Sequence, residues 1–530
     1  MLGFRVSIGN IIAAAALFVV SVWVLTGLYG PWWAWVVFVL TLLVSLSCIV
    51  TIRGATVWEW VYRRLTSKKK ITLSDIVAVD SKAVVWHKNG ASMCMYIEIF
   101  GSPWEVSQVA PNTDLKCPTI PLKPLSDLLR QFGITLNHIR VVNYGYKTAT
   151  EDNASVAVSG VIGTIPYMLG GRTFLEVSVK MEENWNAIYA RMPHERDKVS
   201  DGLTRSVSIA TDRILRVFEN YDIPAKVMNP ADVASVTNGI LGSLASPLRH
   251  PEWRFVGVPG DGGIGAAVTF TPQSFSATSR RVMGEVVSRR QFYCTTLSTG
   301  DGVDRVNQSV TYLVDGIGAL ELLTGQGLRR DNGHHTARIS HLVPLGNDIP
   351  VDSDGVPATP STLESIHIPT HGLGIYLGQD PSRSKLFVHP SRGGEALWII
   401  GNDTLARRLA LRASTLDLKV ATCLNTDDWY NLVTNRKSRS LILEDIPSNA
   451  LFSTDIMFCT PDQYVSLGGQ HDADAASVIV VSDAFPPITP HAYVVAHETD
   501  PDMAVIVQGN NIYDFVLDAP PNERSWIEQG

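Results

Sequence analysis

The sequence predicts a membrane protein, with an N-terminal two-helix transmembrane hairpin followed by a cytoplasmic mixed α/β domain. Three observations predict it. An uncharged apolar stretch covers residues 6–52, a group of Lys and Arg follows it, and beyond Lys70 short strand-like runs alternate with amphipathic helices.

The apolar stretch divides at Gly30 and Pro31 into runs at 8–28 and 32–52. Each run matches one crossing, because about 20 helical residues span roughly 30 Å of hydrocarbon and a helix satisfies its own backbone polar groups. A helical pair buried in a soluble protein would show a polar face, and neither run has one. Arg5 precedes the first run, while Arg53, Arg63, Arg64, Lys68, Lys69 and Lys70 follow the second. The turn at Tyr29, Gly30 and Pro31 carries no charge, so both termini are expected in the cytoplasm of a two-pass plasma-membrane protein. Tyr29, Trp32, Trp33 and Trp35 would mark the outer interface, and Trp58, Trp60 and Tyr62 the inner one. A cleaved signal peptide fits less well, since Ala13 to Ala16 lie inside the apolar run and not after it.

The expected organisation is a hairpin with its basic exit over 1–70, a cytoplasmic α/β region over 71–343, a linker or long loop over 344–361 and a C-terminal α/β region over 362–530. Leu175, Val177, Val179 and Met181 alternate with Glu176, Ser178 and Lys180, the period of a half-buried strand. Leu203, Val207, Ala210, Ile214 and Val217 recur at helical spacing, with Arg205, Asp212, Arg213 and Arg216 on the opposite side, until Pro224 ends the pattern. A strand-like run at 396–400, the turn Gly401 and Asn402, a helix capped by Asp403 and a second run at 418–424 make a βαβ candidate. Crowded Asp, Gly and Pro mark 344–360 as the linker.

The chain has 530 residues and a formal net charge of −7, and none of its long polar stretches is basic, which argues against nucleic acid as a partner. Its cysteines, Cys48, Cys94, Cys117, Cys294, Cys423 and Cys459, are widely spaced and form no CxxC pair, so they read as reduced, mostly buried thiols.

Candidate chemistry is sparse. Gly260, Gly262 and Gly265 spell GxGxxG with Glu285 about 20 residues on, as in a dinucleotide fingerprint, yet the following residues alternate like a strand, which favours a glycine-rich hairpin. The turn Gly401, Asn402, Asp403, Thr404 lacks a phosphate-binding lysine, so helix capping explains it better. His334, His335 and His341 cluster, and His367 and His371 are four apart, but Pro369 breaks the helical register between the latter pair, which favours surface or loop histidines over a metal site. Asp472 and Asp474 form a DxD of the kind that holds a divalent metal against diphosphate, or a solvated turn. No GxSxG elbow occurs, and no catalytic, cofactor or metal residue is assigned.

The opening LGFRVSIGN, the basic exit WVYRRLTSKKK, the helix DGLTRSVSIATDRILRVFENYDI, and the later GLGIYLGQD and GNDTLARRLALRASTLDLKVATCL together resemble the EccE family, a membrane component of type VII (ESX) secretion in mycobacteria. The resemblance implies a non-enzymatic structural subunit of the plasma-membrane secretion complex, beside EccB, the ATPase EccC and EccD, in contact with the lipid bilayer and without a cofactor. It also implies a domain of degenerate glycosyltransferase-like fold. The alternative is then a membrane-anchored glycosyltransferase-like enzyme using Asp472 and Asp474 with a divalent metal.

Overall fold

Two large sheets, one antiparallel and one largely parallel, organise the chain in a computed structural model. The structure describes 71–527 apart from 88–90, 112–114, 148–152, 193–197, 245–249, 261–262, 287, 301, 316, 348, 350, 352–354, 391–393, 417, 469–474, 498–499, 501–502 and 518–520. Of the first 70 residues it describes 2–4, 15–16, 18–20, 22–23, 35–36, 39–44, 50–52, 55–56, 61 and 64.

In chain order the main strands begin with β1 (Asp75–Val79), β2 (Lys82–His87), β3 (Ser92–Ile99), β4 (Glu105–Val109), β5 (His138–Tyr146) and β6 (Gly170–Lys180). They continue as β7 (Val256–Gly260), β8 (Gly263–Pro272), β9 (Arg290–Ser298) and β10 (Arg305–Val314). All of these except β4 form the first sheet, in the order β7-β8-β10-β9-β5-β6-β3-β2-β1, with every pairing antiparallel.

Each face of this sheet is covered. Helix α1 (Val199–Asn220) buries Leu203, Val207, Ala210, Ile214 and Phe218 against Met95 and Ile97 of β3 and Leu175, Val177 and Val179 of β6. Its first turn is fixed by Asp201, whose carboxylate accepts the Lys198 N–H at 2.9 Å. Helix α2 (Pro230–Leu244) sets Val233, Val236, Ile240 and Leu244 against Ala83, Val85, Tyr96 and Phe174 on the other face. β6 is therefore not half-buried as its alternation suggests: Glu176 and Ser178 are buried along with the apolar positions between them.

The second sheet takes β11 (Ile375–Gln379), β12 (Lys385–His389), β13 (Leu397–Ile400), β14 (Val420–Thr422), β15 (Leu441–Leu443), β16 (Ile456–Cys459), β17 (Ser477–Ser482), β18 (Ala492–Ala496), β19 (Met503–Gln508) and β20 (Asn511–Val516). Its order is β15-β14-β16-β17-β13-β18-β19-β20-β11-β12-β4, parallel from β15 to β18 and antiparallel from there on. The predicted βαβ is present as β13, helix α3 (Asp403–Ser414) and β14, but β16 and β17 lie between the two strands. The helix cap is Asn402, one residue earlier than expected, with Oδ1 accepting the Leu405 N–H at 2.9 Å.

The segment around the predicted linker touches the first sheet. Gly346 bridges to Leu73, and Val356–Pro357 pairs with the start of β10.

The expected transmembrane hairpin is overturned. Among the described residues no helix is long and apolar enough to cross a membrane. With it falls the two-pass plasma-membrane location with both termini cytoplasmic. Apolar composition is not sufficient, because a crossing needs an unbroken helix of about 20 residues. The last three residues of the expected second span are instead the strand Val50–Ile52, paired antiparallel with Leu2–Phe4 and with Ala55–Thr56. Most of the runs at 8–28 and 32–52 lies outside the described residues. The 22-residue α1 is long enough, but Asp201, Arg205, Asp212, Arg213, Arg216 and Glu219 make it amphipathic.

A buried ion pair closes the second sheet. On α3, Arg412 donates to both Glu523 carboxylate oxygens at 2.6 and 2.8 Å, and to the Tyr376 and Leu377 carbonyls at 2.8 and 2.9 Å. Both side chains are sealed from solvent, at 1% and 0% exposure, which pins helix α4 (Pro521–Ile527) across the back of β11. E523A leaves the Arg412 charge buried without its counterion, and a loss of about 3–5 kcal/mol is expected. A urea midpoint equal to that of the natural chain would show that the pair does not hold α4.

Candidate functional site

The two sheets meet at a five-residue passage. The chain leaves β3 in the first sheet at Ile99 and enters β4 of the second, which only the two-residue strand Leu115–Lys116 flanks on its outer side, at Glu105. Only a sharp backbone path makes that transfer. Trp104 adopts φ +58°, a left-handed conformation uncommon for a bulky residue. It is 1% exposed, its N–H donates to the His389 carbonyl at 2.9 Å, and its indole Nε1–H donates to the Glu395 carbonyl at 2.8 Å. Gly101 lies under two imidazoles, and a Cβ there would collide with the His371 and His389 rings.

Those rings are stacked, with centroids 3.9 Å apart and planes at 27°. His371 Nδ1 donates to the Gly372 carbonyl at 2.6 Å, and its Nε2 faces Glu105 Oε2 at 3.3 Å. Burial, and secondarily the neighbouring His371, hold His389 well below the usual histidine range, so it stays neutral.

Beside the stack opens a cavity of about 280 Å³, lined in part by Glu98, Gly101, Arg172, Asp232, His371 and His389. Arg172 Nε donates to Glu98 Oε1 at 2.9 Å, and Lys226 pairs with Asp232 at 3.6 Å. The cavity thus presents charges already matched to one another, an arrangement suited to holding two layers in register and to polar docking.

A second polar group lies on the face of the first sheet covered by α2. His87 of β2, Cys94 of β3 and Glu176 of β6 bring one potential ligand atom each to within 4.8 Å of the others. Among the described residues this is the one group of at least three such side chains that could hold a metal ion. Glu176 also accepts from Arg140 at 2.7 Å and contacts His138 Nε2 at 3.1 Å.

The residues singled out in the sequence scatter. Gly260 pairs with Gly263 across a hairpin, with 261–262 outside the described residues, so β7 and β8 form the expected glycine-rich turn and no helix N-terminus follows. Glu285 ends a helix and pairs with Arg281 at 3.3 Å. At the Gly401 turn, Asp403 accepts from the Arg407 Nε and the Trp429 Nε1, so this helix start is occupied by the chain's own groups. Asp472 and Asp474 lie outside the described residues.

Of the histidines, His367 is exposed and His341 half-buried, but His334, His335 and His371 are buried, not on surface loops. They do not gather into one ligand set. His87, Cys94 and Glu176 were missed because 7 and 82 positions separate them. The available signal was a polar side chain at alternate positions on strands that prove to be covered on both faces.

The histidines give a pH dependence. Thr269 N–H donates to His335 Nδ1 at 3.1 Å, and burial pushes this ring down to about 3 from its ordinary 6.5. The unfolded chain takes up the proton first, so the stabilisation is full above about pH 6.5 and is lost as pH falls toward 3. Between about pH 6.5 and 5 this amounts to about 2 kcal/mol. H335Q is expected to remove that share of the acid sensitivity in urea titrations, and an unchanged pH slope would refute the assignment.

No family model matches the chain. Over 245 residues it is 22% identical to the ESX-5 secretion system protein EccE5 of Mycobacterium marinum (strain ATCC BAA-535 / M), a match covering 42% of this chain. The matched region spans 57% of that relative's length. The similarity is to one component of a type VII secretion system, and it agrees with the family resemblance of the sequence motifs.

Proposed function

We propose that the chain is a non-enzymatic structural subunit of a type VII (ESX) secretion complex, working beside EccB-like, EccC-like and EccD-like subunits, with the EccC-like partner supplying ATP hydrolysis. The observation that carries this reading is the similarity to EccE5. The geometry of the junction supports it: a strained passage, a histidine stack and paired charges lock two sheets together, as a bracing element requires. A surface on the second sheet is suited to contact with a neighbour. Phe452 and Val465 are 73% and 72% exposed, on short helices that flank β16. Exposed apolar side chains of this size are typical anchors when a partner covers them.

The test is affinity purification of the full-length chain from its own cells after gentle extraction, followed by mass spectrometry. Co-purification of an EccC-like ATPase with EccB-like and EccD-like proteins is expected, and their absence would overturn the proposal. The double variant F452E/V465E is expected to fold normally, since exposed substitutions change stability by about 0.5 kcal/mol or less each. It should reduce recovery of the partners at least tenfold, and full recovery would remove this surface from the interface.

A further inference from the structure

We propose that His87, Cys94 and Glu176 form a structural site for a divalent metal of the zinc type, binding across three neighbouring strands of the first sheet. The reading is independent of the secretion role. β2, β3 and β6 lie side by side, and the three residues project from the same face, at 4%, 0% and 4% exposure. Their donor atoms are one nitrogen, one sulfur and one carboxylate oxygen, all within 4.8 Å of one another. That mixture of borderline and soft donors suits zinc better than calcium or magnesium, which take oxygen. Bonds of about 2.0–2.3 Å in a tetrahedron place ligand atoms roughly 3.3–3.8 Å apart, a contraction within reach of side-chain rotation.

The surrounding groups already perform the orienting task that metal ligands need. Ser74 Oγ holds His87 Nδ1 at 2.8 Å, so Nε2 is the coordinating nitrogen. Arg140 Nη1 holds Glu176 Oε2 at 2.7 Å. The other carboxylate oxygen lies 3.1 Å from His138 Nε2. On binding, the Cys94 S–H bond breaks, a sulfur–metal bond forms and one proton leaves to solvent.

The test uses the full chain, stripped with chelator and then equilibrated with zinc or cobalt alone. One equivalent of zinc by elemental analysis is expected, and cobalt should give tetrahedral d–d bands with a thiolate charge-transfer band. C94S should lose that band and bind at least tenfold more weakly, and H87Q should bind at least tenfold more weakly while keeping Glu176 paired with Arg140. Chelator should lower the melting temperature of the natural chain but not that of C94S, which separates metal loss from misfolding. Failure of the natural chain to take up zinc or cobalt, or uptake by C94S equal to that of the natural chain, would overturn the site and leave a metal-free hydrogen-bonded cluster.

Discussion

The architecture depends on the passage between Ile99 and Glu105. A buried interior strand of one sheet hands the chain, within five residues, to the second-last strand of another. Close approach is possible because Gly101 carries no side chain under the His371 and His389 rings, and because Trp104 accepts a left-handed backbone. Backbone strain of this kind costs on the order of 1–3 kcal/mol and persists only where the surroundings over-determine it. Here the indole is buried and both its backbone and ring N–H groups are bonded, so the conformation is held from several sides.

Buried polarity follows one rule on both sides of that junction. Arg412 with Glu523 and Arg140 with Glu176 each place a buried guanidinium against a buried carboxylate. Burying either partner alone would be expensive, and the pairing sets where helices and strands can sit. The apolar layers around them supply the bulk of the stabilisation, each fully buried Leu, Ile or Phe contributing roughly 1.5–3 kcal/mol. The charge pairs supply register: α4 sits where Glu523 meets Arg412, and β5 and β6 align where Arg140 meets Glu176.

The similarity to EccE5, a component of a type VII secretion system, covers 42% of the chain. The bracing role is our proposal, and the locked passage and the exposed Phe452 and Val465 beside β16 are the features that support it. A metal held by three strands would add a further tie within the first sheet, remote in sequence from the histidines that a linear reading selects.

The sequence by itself determined elements whose cause is local: α1, whose apolar stripe from Leu203 to Ile214 demands a helix; the glycine hairpin between β7 and β8; the order β13, α3, β14; and the capping character of the Gly401 turn. It also carried the family resemblance. It misled where composition stood in for conformation. The oily runs at 8–28 and 32–52 satisfied the hydropathy of a hairpin, yet Val50–Ile52 is extended because it pairs with Leu2–Phe4, a partner some 46–50 residues away. Tertiary structure alone decided that Glu176 is buried, since covering both faces of a strand depends on helices far along the chain, and that His87, Cys94 and Glu176 meet. Adjacency between strands is set by long-range pairing, and no spacing in a linear sequence records it.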